Sequence, residues 1–229
     1  MNRKLSKRLS ACLDALSSHS RIADIGTDHA YLPCYGIVAG IIKSAIAIDV
    51  IDGPLEQAKS TIDHYELAGR VELRKGSGLE PLKIGEVEGV VMAGMGGRLI
   101  SQLLLKSLPI AQSMKTLVFQ PQGGEAILRR MLVENNFVII HEQLLEEDGL
   151  IYTVITAKPD EMMTYTALDI TFGPILRQHV QDPLFIKKWE QEMAAIDRVV
   201  REIPAGNERK QAFQEQQQRI KDVLAGVIN

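Results

Sequence analysis

The stretch "FVIIHEQLLEEDGLIYTVITAKP", residues 137–159, holds two strand-like runs with no helix between them. Asp148-Gly149 stands where the chain must reverse, and this residue pair suits the tight turn of a β-hairpin. Upstream the rhythm is different. "RIADIG" (21–26), "SAIAIDV" (44–50), "RVELRKG" (70–76), "VEGVVMAG" (87–94) and "KTLVFQPQ" (115–122) read as short apolar strands. Helical patterns cover "YLPCYGIVAG" (31–40), the segment from Gly53-Pro54 to about Ala68, "GRLISQLLLKSL" (97–108) and "EAILRRMLVEN" (125–135). An amphipathic helix over 2–17 precedes them, with Leu5, Leu9, Cys12, Leu13 and Leu16 at helical spacing. Strands alternating with helices predict an α/β domain with a largely parallel sheet and helices on both faces. The hairpin then closes a seven-stranded sheet.

After Pro159 the composition changes. Asp182-Pro183 reads as the N-cap and first position of a helix. Ile186, Trp189, Met193, Ile196, Val200 and Ile203 then recur at spacings of three and four, "PAG" (204–206) interrupts, and Phe213, Gln217, Ile220, Leu224 and Val227 continue the stripe. This predicts a C-terminal helical hairpin, coiled-coil-like, that either packs on itself or on the main domain, or serves as a substrate-gripping or dimerising arm. The expected division is 1–160 and 161–229.

Composition narrows the function classes modestly. The 229 residues are 45% hydrophobic and 24% charged, ample for a core. A net charge of −3 gives no global sign of nucleic-acid binding, although local patches matter more than the sum. Two cysteines, Cys12 and Cys34, fall on apolar helical segments, with no Cys/His cluster to suggest a metal site. No signal-peptide core and no membrane-length apolar run stands out, so a cytoplasmic protein is expected.

The turn after the first strand, "DIGTDHAYLP" (24–33), narrows the ligand. In a parallel sheet the ligand binds beyond the carboxyl ends of the strands. Gly26 lets backbone approach it without a Cβ. A pyrophosphate favours backbone N–H groups and no carboxylate, but Asp24 and Asp28 flank this glycine and G-x-G-x-x-G is absent. A cationic ligand suits the turn better. Asp49, ending the second strand before Val50, either accepts both ribose hydroxyls of an adenosine or merely caps the strand. "KGSGLEP" (75–81) brings Gly76, Ser77 and Gly78 to the same edge, and "MAGMGG" (92–97) brings Gly94 and Met95 to the end of the fourth strand. Five parallel strands with a terminal hairpin resemble the class I (Rossmann-like) methyltransferases that use S-adenosylmethionine (SAM).

Together "DIGTDHAYLP", "AIDV" with "GPLEQA", "GSGLEPL", "MAGMGG", "FQPQ" and "DGLIYTVI" resemble the bacterial TrmK family over roughly residues 1–160, and the helical hairpin is similar to that family's C-terminal coiled-coil domain. The resemblance implies a SAM-dependent enzyme that methylates N1 of adenosine 22 in the tRNA D-loop and releases S-adenosylhomocysteine. It implies cofactor contacts from Asp24, Gly26, Asp28, His29, Asp49, Val50, Gly76, Ser77, Gly78, Gly94 and Met95. Asp28 either steadies the positive charge that develops on the base or contacts the methionine part of the cofactor. His29 and Tyr31 either orient and stack on the base or cap and pack the following helix.

An (Asn/Asp)-Pro-Pro-aromatic segment, common after the fourth strand of enzymes that methylate exocyclic amines, is absent. Ala93-Gly94-Met95-Gly96 stands there, which fits a ring-nitrogen acceptor. Gln120-Pro121-Gln122 either borders the base pocket or simply ends a strand. N1 lies on the Watson–Crick edge, so the base must be unpaired or flipped out. Arg3, Lys4, Lys7 and Arg8 form the densest basic cluster and are candidates for phosphate contacts, a solvated helix face being the plainer reading. Two rivals remain: a methyltransferase acting on a small molecule or protein, and a non-catalytic SAM- or RNA-binding module.

Overall fold

The computed structural model describes residues 5–160, 163–204 and 207–227. Seven strands form one sheet: β1 (Arg21–Ile25), β2 (Ser44–Asp49), β3 (Val71–Lys75), β4 (Gly89–Met95), β5 (Thr116–Pro121), β6 (Phe137–Glu147) and β7 (Leu150–Pro159). Their spatial order is β3-β2-β1-β4-β5-β7-β6. β1 to β5 pair in parallel, while β7 runs antiparallel between β5 and β6. The hairpin is therefore inserted, with its second strand against the parallel sheet. Asp148 (φ 52°) and Gly149 (φ 79°) both take the left-handed conformation of a two-residue turn that matches strand twist.

Alternation along the strands divides the core into two layers. Ala23, Ile25, Ile46, Ile48, Val90, Met92, Leu117 and Phe119 face α4 (Gly97–Lys106) and α6 (Glu125–Glu134). Ile22, Ala45, Ala47, Val91 and Val118 face α1 (Lys7–Asp14), α2 (Tyr31–Val38) and α3 (Asp52–His64). Cys12 and Cys34 are buried free thiols in this second layer. Asp24, two residues beyond Ile22, points to the same side.

Several elements end sooner than the sequence suggests. The first helix begins only at Lys7, capped by the Ser6 hydroxyl, which accepts from the Leu9 amide. α3 stops at His64, and Glu66 just beyond it sits at φ 57°. The run 97–108 breaks at Ser107, where α5 (Leu108–Ala111) starts with a proline in its first turn. Between β3 and β4 no helix forms, and Leu79 and Leu82 fill the core from turns instead.

Beyond the sheet lie α7 (Ala167–Phe172) and a 3-10 turn at Leu176–His179, neither expected from the sequence. α8 (Pro183–Glu202) starts as predicted, with Asp182 accepting from the Leu184 and Phe185 amides. α9 (Glu208–Leu224) returns antiparallel beside it. The apolar seam differs from a simple heptad stripe. Phe185, Trp189 and Ile196 of α8 bury against Phe172, Leu176, Ile220 and Val223, with Leu144 of β6 packed on the cluster. Val227 is exposed, and Val223 takes the place expected for it.

Candidate active site

β1, β2 and β4 end side by side, and the turns after them build the site. After Ile25 the chain winds through left-handed conformations at Gly26 (φ 71°), Asp28 (φ 53°) and Ala30 (φ 54°). Two of these are non-glycine residues, and such strained backbone concentrates at functional sites. Amides of Gly26 and Thr27 both donate to the Ile48 carbonyl, at 2.8 and 3.1 Å, which clamps the turn to the end of β2. A Cβ on Gly26 would stand 3.3 Å from the Met95 methyl, so a side chain here would intrude between the two loops.

Asp24 is buried, and its Oδ2 accepts the Thr27 hydroxyl at 2.8 Å. Burial pushes its carboxyl up to about 6; the Thr27 hydrogen bond opposes this, while Asp49 and Asp28 add to it. Asp49 closes β2. Its Oδ1 accepts the Ile51 amide at 3.0 Å, and its Oδ2 accepts the Asp28 amide at 3.4 Å. Asp28 itself is exposed, with a carboxylate oxygen 3.6 Å from His29 Nε2. The His29 and Tyr31 rings stack, centroids 5.1 Å apart and planes 18° apart.

A β-bulge between Ala93 and Met95 shifts the register of β4 against β5, with Met95 opposite Pro121 and Gly94 at φ 77°. Gln122 donates its amide to the Met95 carbonyl and Gly97 donates to the Gly123 carbonyl, both at 2.9 Å. A Cβ on Gly97 would run into the Gly124 carbonyl oxygen, so the loops after β4 and β5 pack backbone to backbone.

Between these turns lies a cavity of about 270 Å³ lined by Arg8, Leu9, Asp24, Gly26–His29, Tyr31, Leu32, Ala93–Met95 and Gln122. Of the residues expected at the cofactor, Asp24, Gly26, Asp28, His29, Gly94 and Met95 line it together. Asp49, Val50, Gly76, Ser77 and Gly78 do not. They form an adjoining shelf at the ends of β2 and β3, where the Gly76 amide donates to the Asp49 carbonyl at 3.0 Å. Val50 is exposed there. Gln122 borders the cavity, whereas Gln120 is wholly buried behind it.

The basic cluster separates. Arg3 and Lys4 lie outside the described residues. The exposed Lys7 extends its ammonium to the Glu146 carbonyl at 3.3 Å. Arg8 instead enters the cavity wall, where Nη1 donates to Gln120 Oε1 at 3.1 Å. Its sequence neighbours suggested a shared solvated face, and the contact to a residue 112 positions away left no local signal. Thr27 was likewise unmarked, though it stands inside the decisive turn.

A sequence model of the tRNA (adenine(22)-N(1))-methyltransferase family matches residues 22–225. The chain belongs to this family. A tRNA (adenine(22)-N(1))-methyltransferase of Bacillus subtilis is 33% identical over 213 residues, 91% of this chain and 89% of the relative. Sp1610 of Streptococcus pneumoniae, solved with S-adenosyl-L-methionine, is 33% identical and superposes with a TM-score of 0.89 over 96% of this chain and all of that one. M. capricolum TrmK, solved with the cofactor product S-adenosyl-homocysteine, is 26% identical with a TM-score of 0.87, covering 97% of this chain and 99% of its own. The family match extends through both hairpin helices.

Proposed function

We infer that this chain transfers a methyl group from SAM to N1 of adenosine 22 in the D-loop of tRNA. The family match across 22–225 carries this reading. The residues present fit the cofactor. Buried Asp24 and exposed Asp28 offer carboxylates to a cationic ligand, Gly26 leaves a cradle that a Cβ would fill, and Asp49 stands at the β2 end for ribose hydroxyls.

SAM supplies an electrophilic methyl group on a sulfonium. Adenine N1 would take that methyl carbon through its in-plane lone pair as the carbon–sulfur bond breaks and S-adenosylhomocysteine leaves as a neutral thioether, so the protein's work is positioning and charge stabilisation. The base gains positive charge as the bond forms. Asp28, at the cavity mouth, stabilises that charge and accepts from the exocyclic N6 amine. The His29–Tyr31 stack presents an aromatic face on which an extruded base rests. Asp24 holds the ammonium side of the cofactor. Residues 1–160 carry this chemistry, and residues 161–229 with Lys7 extend the surface that meets the tRNA backbone. The reaction belongs to the cytoplasm, where tRNA is matured; no helix among the described residues is long and apolar enough to cross a membrane.

N1-methylation blocks the Watson–Crick edge, which gives a direct test. Primer extension on tRNA incubated with enzyme and SAM is expected to stop one nucleotide 3′ of position 22. Full-length extension through that position, with SAM demonstrably bound, would count against the acceptor assigned here.

A further inference from the structure

Behind the loops that follow β4 and β5, a groove runs away from the cavity. Met95 and Gln122 both line the cavity, and the Gln122 amide donates to the Met95 carbonyl. Just beyond them α4 and α6 begin side by side, where the Gly97 amide donates to the Gly123 carbonyl. The space between the two helices is about 470 Å³. Arg98, in the first turn of α4, and Arg130, in the second turn of α6, line the part toward the cavity. Glu134 and Asn135, at the end of α6, line the distal part. Ile127, one turn before Arg130 on the same helix face, is exposed in the groove.

Elsewhere on the surface Arg21, Lys59, Lys75, Lys115 and Lys158 each pair with a carboxylate. The guanidiniums of Arg98 and Arg130 are exposed and have no such partner among the described residues. Nearby acids are already engaged: Glu125, which opens α6, is bound by Lys188, and Glu142 is bound by Arg129. The groove thus keeps two uncompensated positive charges at its cavity end, with Glu134 at the far end. A nucleic-acid strand carries a negative charge at every phosphate, and a guanidinium matches phosphate oxygens with paired N–H donors. Ile127 adds apolar surface for a ribose face. Building on the assignment of tRNA as methyl acceptor, we propose that the α4–α6 groove is the track for the tRNA strand beside adenosine 22, with Arg98 and Arg130 as its phosphate contacts. Such contacts fix where the strand lies without reading its sequence, and so place the extruded base at the cavity mouth.

The test measures binding of an unmodified tRNA transcript with A at position 22 over a series of salt concentrations. With Arg98→Gln and Arg130→Gln combined, the slope of log affinity against log salt should flatten by about 1.5, the change for two lost phosphate contacts. KM for the tRNA should rise about tenfold or more, with kcat changed far less. Affinity for S-adenosylhomocysteine, read by calorimetry, should not change, which also reports an intact fold. Arg→Lys at both positions should restore much of the slope, keeping the charge and losing the fork. Lys43→Gln removes an exposed cation just before β2, at the opposite end of the sheet, and should leave slope and KM as they are. An unaltered slope and KM in the double variant would overturn the proposal, since both arginines would then only face solvent. So would an equal effect from Lys43→Gln, because the loss would then follow total charge and not this groove. A parallel fall in S-adenosylhomocysteine affinity would overturn it too, since the arginines would then shape the cavity. Absence of methyl transfer to tRNA by the unaltered protein would instead defeat the function on which the proposal rests.

Discussion

At the scale of single residues, Asp24 ties stability to ligand binding. Its folded value, about 6, lies above the ordinary carboxyl value of 3.8 because burial disfavours the charge. The folded state thus holds a proton more tightly than the unfolded chain. Asp24's contribution to stability is fully present below 3.8 and is lost as pH rises through about 6. A cationic ligand reverses the preference by favouring the ionised carboxylate. Cofactor binding near pH 6 should therefore release a proton and tighten toward pH 7.5. Calorimetry in buffers of different ionisation enthalpy checks this, and Asp24→Asn should abolish the buffer dependence. The place of Asp24, Gly26 and Asp28 on the cavity wall was legible because carboxylates flanking a glycine at a strand end are a local signal, whereas Asp49, with no glycine beside it, stands on the adjoining shelf. Arg8 and Thr27 were not legible, because their roles depend on which distant atoms the fold brings near.

At the scale of elements, one ion pair joins the sheet to the helical segment beyond it. Arg129 of α6 and Glu142 of β6 are both buried, with Nε 2.8 Å from Oε1. Arg129 Nη1 also donates to the Ile170 and Thr171 carbonyls, and Glu142 Oε2 accepts the Ile175 amide at 3.1 Å. Gly173 lies against the pair, where a Cβ would stand 2.6 Å from Glu142 Oε2. Removing one partner strands a buried charge, so Arg129→Met or Glu142→Leu should each cost about 3–5 kcal/mol in urea unfolding. The double variant should lose clearly less than the sum; additive losses would mean the two groups act independently. This linkage explains why α7 left little trace in the sequence. Its six residues are too few for periodicity, and its apolar side chains, Phe172 against Trp189 with ring centroids 4.4 Å apart and Leu168 beside them, find their partners only in the folded cluster. The Thr166–Asp169 capping box was its one local mark. The strands, in contrast, were legible nearly to the residue, since apolar runs between glycines and charges leave few other pairings.

At the scale of the whole molecule, the hairpin is bound to β6 and α6 by charge as well as by its apolar cluster. Lys187 pairs with Glu146 and Lys188 with Glu125, each at 2.7 Å. Glu125 is held below the usual carboxylate range although burial opposes it, because the Lys188 charge and hydrogen bond prevail. Two of the hairpin's cations thus serve attachment, which its mixed charge pattern did not disclose. A fragment ending at residue 160 would expose Leu144 and deprive Glu142 of its Ile175 amide. It should unfold at a clearly lower urea concentration than the full chain; an equal midpoint would make the hairpin an independent appendage.

The chain methylates one ring nitrogen of one tRNA base. Incubation with labelled SAM, using unmodified tRNA and a matched tRNA carrying G at position 22, tests it most directly. Nucleoside mass spectrometry should find 1-methyladenosine with the first tRNA and none with the second. Equal 1-methyladenosine from both, or a methylated nucleoside of another kind, would contradict the account.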